Sequence, residues 1–213
     1  MQLAKTYSIS LYGMTGRAIE IEADISSNLP GFVLVGLPDA SLQEASARVR
    51  AAITNSGFTW PNRKVTVNLS PANVPKSGSS FDLAIAAAIL AASGQIELTS
   101  GRVSVALGEL ALDGQVKPVP GVLPALREAQ RMRFRRALVP RENFAEAQLI
   151  SDLDVSAVGC LVCFAREISV AEITQSCQCQ IELAQGGQED SNASGTLSNE
   201  TALDFFDVLG QQS

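Results

Sequence analysis

Alternation dominates the start of the chain. From Arg17 to Ile25, Ile19, Ile21, Ala23 and Ile25 occupy every second position, with Glu20, Glu22 and Asp24 between them. A period of two predicts a strand with one buried face. The stretch from Lys5 to Leu11 predicts a second strand, and Gly13-Met14-Thr15-Gly16 supplies turn residues between them, so the two read as a hairpin. Pro30-Gly31 leads into Phe32-Val33-Leu34-Val35, a short apolar run suited to an interior strand, and Gly36-Leu37-Pro38-Asp39 breaks it. The period then becomes helical: Leu42, Ala45, Val49, Ala52 and Ile53 form one stripe of a helix ending near Ser56, with Gly57 after it. Ser41-Leu42-Gln43-Glu44 fits a capping box at its start.

Alternation returns from Lys64 to Leu69 and predicts another strand, followed by the loop SPANVPKSGSS. Residues 81–93 are almost wholly apolar and end at Gly94, the pattern of a helix buried on all sides. Residues 103–112 and 115–119 flank Asp113-Gly114 and read as a hairpin with a type I′ turn. After Pro120-Gly121 the pattern predicts a helix to about Met132, a strand at 136–139, a short helix at 142–149, a strand at 155–158 and a last helix at 161–174. Hairpins intermixed with helices place the chain in the α+β or mixed α/β class. Residues 1–183 form the expected domain. Residues 184–200 are rich in Gly, Gln, Ser, Asn and Glu and read as a flexible polar linker, and 201–213 return to an apolar-acidic segment too short to fold alone.

Composition narrows the chemistry. The 213 residues carry a net charge of −6 and contain no histidine, which removes Ser-His-Asp and Cys-His catalysis and histidine-ligated metals. An acidic chain is not one coated all round to hold nucleic acid. The only lysines are Lys5, Lys64, Lys76 and Lys117. The opening MQLAKTYSISLYG lacks the basic and long apolar regions of a signal peptide, so none is expected, and the longest apolar stretch, Leu83 to Ala92, falls far short of the ~20 residues a membrane helix needs. Four cysteines in a chain of this length do not make a secreted disulfide scaffold, so the cytoplasm, with reduced thiols and no membrane association, is expected.

A phosphate-binding loop of the form G-x-x-x-x-G-K-[ST] does not occur, so no ATP site of that kind is expected in this chain. Lys76-Ser77-Gly78-Ser79-Ser80 precedes the buried helix, where free amides and the helix dipole favour a developing negative charge. A serine nucleophile there would need a desolvated lysine as its base. The plainer reading, a helix cap by Ser79 or Ser80, is preferred on these residues alone.

Longer motifs carry a resemblance. VTVNLSPANVPKSGSSFDLAIAAAIL and GELALDGQVKPVP are similar to the serine loop and the following hairpin of Lon-type proteases. Together with SLYGMTGRAIEIEADI, LPGFVLVGLPDASLQEA, RVRAAITNSG and GVLPA, they resemble more closely the N-terminal Lon-like (ChlI-type) domain of the magnesium-chelatase-like ComM/YifB family of AAA+ ATPases, over residues 4–174. The resemblance implies a Lon proteolytic-domain-like fold, a ribosomal-protein-type β-α-β two-layer arrangement. It places Ser80 in the nucleophile slot and Leu123 in the lysine slot. Leucine accepts no proton, so Ser80 is a vestigial nucleophile, and catalytic residues are not expected.

The family resemblance further implies a hexameric motor acting on branched or single-stranded DNA during natural transformation and recombination, with ATP and Mg bound by an ATPase domain. Residues 201–213 resemble the start of that domain, whose Walker A does not follow here. Magnesium chelation itself has no support in these residues. The expected role is therefore assembly and DNA-substrate handling without catalysis. A Ser80-dependent peptidase and an autonomous DNA-binding module are the alternatives.

Three further groups remain. Arg127, Arg131, Arg133, Arg135 and Arg136, with Arg141 and the interleaved Phe134, concentrate cationic forks that match phosphate geometry. They also suit a helix C-terminus and an edge strand, the preferred reading for an isolated domain. Cys160-x-x-Cys163 has zinc-ligand spacing, but Cys177 and Cys179 fall beside the linker, where no fixed geometry is expected. Cysteines as small buried hydrophobes are preferred, so no metal or cofactor is expected. Asp82, in the first turn of the buried helix, is read as structural, capping donors or pairing with Lys76 or Arg63.

Overall fold

A helix with no polar face must be enclosed, and the fold is arranged to enclose one. In the computed structural model, which describes residues 2–13, 15–36, 39–76, 78–98, 104–177 and 179, the apolar run forms α2 (Asp82–Ala92), with every residue but Ala91 buried. It packs on a seven-stranded sheet in the order β3-β4-β2-β1-β5-β8-β9. The strands are β1 (Gln2–Tyr12), β2 (Thr15–Ser26), β3 (Gly31–Val35), β4 (Lys64–Ser70), β5 (Ser104–Ala106), β8 (Arg136–Pro140) and β9 (Asp154–Val158). A separate ribbon pairs β6 (Glu109–Leu110) with β7 (Val116–Lys117). The other helices are α1 (Asp39–Asn55), α3 (Val122–Arg131), α4 (Phe144–Ala147) and α5 (Leu161–Ile168).

The mixed α/β class expected from the sequence is what the structure shows. β1, β2 and β4 are antiparallel neighbours, whereas β1, β5, β8 and β9 run parallel and are joined through helical crossovers. Helices α1, α2 and α5 share one core with Ile19, Ile21, Val65 and Val67. α3 and α4 share a second core with Ile9, Val105 and Val139. The two-layer arrangement describes the α1–α2 side, and α3 and α4 add a layer on the opposite face. Central β1 meets both cores. Thr6 donates to Ala84 O at 2.8 Å and Ser10 to Pro75 O at 2.6 Å, so its small hydroxyl positions face α2 and its loop, leaving Ile9 to the other side.

Several sequence expectations are corrected. The Phe32–Val35 run is an edge strand, with Val33 and Val35 40% and 48% exposed. α1 begins at Asp39, which moves Ser41 inside the helix, and the side chains of residues 39–43 lie outside the described set. The expected strand over 103–112 divides in two. Gly108 turns its N–H to Ser80 O at 3.1 Å and its carbonyl to Leu83 N–H at 3.2 Å, so β5 stays in the large sheet while β6 leaves it. The turn that follows has three residues, with Ala111 N–H bonded to Gln115 O at 2.9 Å and Gly114 at φ 88°, a bulged hairpin rather than a type I′ turn. The last helix stops at Ile168 because Ser169 pairs with Leu98 and its hydroxyl accepts from Glu97 N–H. Among the described residues no helix is long and apolar enough to cross a membrane. The linker and stub expected at 184–200 and 201–213 lie outside the described residues.

Candidate functional site

The parallel strands β1 and β5 end beside the N-termini of α2 and α3. Between them lies a pocket of about 410 Å³. Carboxyl ends of parallel strands meeting helix N-termini are where open α/β sheets hold ligands. Leu11 and Leu107 contribute apolar walls, Gly78 to Phe81 one rim, and Val119 to Val122 with Ala125 the other. Gly121 takes φ 77° at the start of α3, and a Cβ there would lie 2.5 Å from Leu11 Cδ1, so only glycine lets the chain pass so close to β1.

Ser80 lies half-buried on the rim, in the slot the resemblance assigns it. Its neighbour Ser79 donates its hydroxyl to the Glu109 carboxylate, a partner the sequence reading missed because Glu109 comes from the ribbon that splits away at Gly108. Neither serine caps α2; the N-cap is Phe81, without a side-chain bond. Lys76, the nearest lysine in sequence, is buried at 3% exposure, with its ammonium donating to Pro71 O at 2.6 Å and Val74 O at 3.1 Å. Burial pushes its pKa down. Those carbonyls hold the amine within its own loop, and Lys76 does not line the pocket. Leu123 is half-buried in the first turn of α3, and exposed Lys117 donates to Gln115 Oε1 at 2.8 Å. Among the described residues, Ser10, Ser79 and Ser80 are the polar side chains of the lining, and the Glu109 carboxylate is bonded to Ser79.

Asp82 pairs with Arg48, and neither Lys76 nor Arg63 is its partner. Nε of Arg48 donates at 2.7 Å and Nη2 at 3.3 Å, a two-pronged contact between α1 and α2. Arg48 flanks the Ala45, Val49, Ala52 stripe, the one signal that pointed it toward the core. Burial pushes the Asp82 carboxyl up to about 6, outweighing the guanidinium beside it. The less enclosed Arg48 is raised by the same pair.

The arginines separate into two sets. Arg127, Arg131, Arg133 and Arg135 are exposed along α3 and the turn after it, Arg131 with an ion pair to Glu128 at 2.8 Å. Arg136 is enclosed at 15% side-chain exposure, held by Glu167 and by Asp154 at 3.7 Å, and belongs to the structure rather than the exposed face. Phe134 packs on Tyr7 at 5.6 Å between ring centres and joins the second core, so its ring is not offered to a base. Arg133 sits at φ 63°, ending α3: its N–H bonds to Gln130 O at 2.9 Å and that of Phe134 to Ala129 O at 3.0 Å, a Schellman cap.

Cys177 and Cys179 do have fixed geometry. Both are buried and fold back onto Cys160 and Cys163 at the start of α5. Burial pushes the thiols of Cys163 and Cys179 up.

The model of the family described as Subunit ChlI of Mg-chelatase matches residues 21–143. Competence protein ComM of Haemophilus influenzae is 37% identical over 212 residues, covering all of this chain and 40% of ComM. YifB of Escherichia coli K12 is 35% identical over 212 residues, covering all of this chain and 39% of YifB. A Mycobacterium tuberculosis H37Rv protein is 49% identical over 158 residues, covering 74% of this chain. The chain thus spans about a third to two fifths of these relatives, with 31% of the mycobacterial protein covered. Lon protease 2 of Bacillus subtilis is more distant, at 26% over 160 residues. With more than half of its length matched by the family model and two relatives aligned over all of it, this chain belongs to the ChlI family of Mg-chelatase-like proteins, together with ComM and YifB.

Proposed function

We propose that this chain is a non-proteolytic Lon-like module that serves assembly and DNA-substrate handling, acting in DNA uptake or recombination, while ATP and Mg chemistry belongs to a part of its relatives outside it. The observation that carries this reading is the contrast between two surfaces. Among the described residues the Ser80 pocket offers a serine with no lysine, histidine or carboxylate on its lining, and Arg127, Arg131, Arg133 and Arg135 crowd one exposed end of an acidic chain. Guanidinium forks meet phosphate oxygens in two-pronged contacts, and repetition around a ring would multiply the charge each DNA strand meets. Similarity to a protein named for competence supports DNA as the substrate.

The test is light scattering combined with a gel shift on branched and single-stranded DNA. It compares this chain with one carrying Arg127→Glu, Arg131→Glu, Arg133→Glu and Arg135→Glu. The expected result is self-association together with DNA binding that the reversed chain lacks. Four phosphate contacts on duplex arms give a slope of log affinity against log salt of about −3 to −4. Equal binding by both chains, or none by either, overturns the DNA role; a monomer at all concentrations overturns the assembly role.

The pocket and the distant similarity to Lon protease favour one competing reading, a peptidase using Ser80. That reading needs a base for Ser80, and among the described residues the lining carries no lysine, histidine or carboxylate.

A further inference from the structure

The cysteines of this chain meet at one point. Cys177 Sγ lies 2.8 Å from that of Cys179, 2.9 Å from Cys163 and 3.3 Å from Cys160. Cys179 Sγ is also 3.1 Å from Cys163 and 3.5 Å from Cys160, and all four sulfurs fall within 4.8 Å of one another. This is a closed four-membered group and not two separate couples. Two disulfides would draw sulfurs into pairs at about 2.0 Å and leave the pairs apart. A tetrahedron around one ion with metal–sulfur bonds of about 2.3 Å has edges of about 3.8 Å, so each sulfur needs to move outward by roughly 0.4 Å.

We infer that Cys160, Cys163, Cys177 and Cys179 form a structural tetrathiolate zinc site. Zn²⁺ replaces four thiol protons, giving a site with four sulfur ligands, a net charge of −2 and four protons released to solvent. Soft thiolates in tetrahedral array select zinc over magnesium or calcium. Four protein ligands leave no open position for water or substrate, so the role is structural.

The surroundings suit that charge. Cys160 is the N-cap of α5, and its sulfur accepts from Cys163 N–H at 3.4 Å, so the first ligand pair sits on the positive end of a helix. A Cβ on Gly159 would lie 3.0 Å from Arg141 Nη2 and 3.4 Å from Cys179 Cβ, which places a guanidinium beside the cluster. A cleft of about 300 Å³, bordered by Cys160, Cys179 and Gln115, gives the ion a way in. Backbone bonds from Leu161 N–H to Gly114 O at 2.8 Å and from Val116 N–H to Gly159 O at 3.0 Å tie the base of the site to the β6–β7 ribbon. Zinc would therefore clamp the last described residues of the chain to that ribbon and to α5. The inference does not depend on DNA binding or on assembly.

The test begins with the full chain purified under reducing conditions without chelator, followed by elemental analysis. Zinc is expected at about one equivalent per chain. Refolding with Co²⁺ in its place should give intense thiolate charge-transfer absorption and the visible bands of a tetrahedral ion. Cys177→Ser and Cys163→Ser should weaken Co²⁺ binding beyond the roughly 100-fold that loss of an outer-shell partner costs. Because such a variant can simply unfold, the unmodified chain carries the decision. A folded chain with four titratable thiols that takes up neither zinc nor cobalt overturns the inference. So does a mass four hydrogens lighter, the signature of two disulfides, and so does iron in place of zinc.

Discussion

Asp82 should make this protein more stable as the solution is acidified from neutrality, the reverse of the usual effect of a paired carboxylate. Its carboxyl is 1% exposed and is held up to about 6 by burial, although Arg48 lies at 2.7 Å; in the unfolded chain it returns to 3.8. The folded state therefore binds the proton more tightly than the unfolded state. Stability from this group is fully present below pH 3.8 and is lost as pH rises through about 6. Integrating the proton difference from pH 7 down to 4.5 gives a gain of about 2 kcal/mol. Asp82→Asn keeps the shape and an oxygen for Arg48 but cannot titrate. Urea unfolding of both chains between pH 4.5 and 7 isolates the effect, because every other titrating group is common to both. The unfolding free energy of the unmodified chain, less that of Asp82→Asn, should rise by about 2 kcal/mol as pH falls from 7 to 4.5. A flat difference, or one that falls on acidification, would refute the reasoning, since it would mean that the guanidinium outweighs burial.

Arg133 occupies the left-handed conformation at φ 63° in a cap that glycine fits better, so Arg133→Gly should raise stability by about 0.5–1 kcal/mol, read from the urea midpoint. At Gly36 the opposite holds. Its φ is 97° and an added Cβ would meet Leu69 O at 2.4 Å, so Gly36→Ala should cost about 2 kcal/mol or more on the same assay. Arg136→Ala should destabilise by about 1–3 kcal/mol in thermal or urea unfolding by releasing Glu167, whereas Arg127→Ala and Arg135→Ala should stay within about 0.5 kcal/mol. Leu83→Ala, in the fully buried helix, should cost about 2–5 kcal/mol.

Elements whose burial follows a regular period were legible in the sequence. The Ile19 to Ile25 alternation, the apolar run of α2 and the Val122 to Ala129 face of α3 each declared their type, because one repeating contact with the core dictates the pattern. What failed depended on partners distant in the chain. Val33 and Val35 are as apolar as interior-strand residues, and only the sheet order places them at an edge. The strand at 103–112 breaks because Gly108 finds Ser80 and Leu83, and α5 ends where Ser169 finds Glu97 and Leu98. The site was legible in the same uneven way. Ser80 and Leu123 could be placed by resemblance to a known motif. Arg48 and Glu109, which hold Asp82 and Ser79, come from other elements and left little local trace. Cys177 and Cys179 looked like part of a polar tail, and their burial follows from a return of the chain that no short-range pattern records.

The proposed non-proteolytic role requires that the Ser80 pocket keep its shape without an activated serine. Labelling with a fluorophosphonate, which reports activated serine nucleophiles, tests it on the unmodified chain beside Ser80→Ala. Both chains should show the same background labelling, with no cleavage of a casein or peptide substrate. Stoichiometric labelling at Ser80 that disappears in Ser80→Ala would contradict it, because it would require a base that neither Leu123 nor the tethered amine of Lys76 supplies.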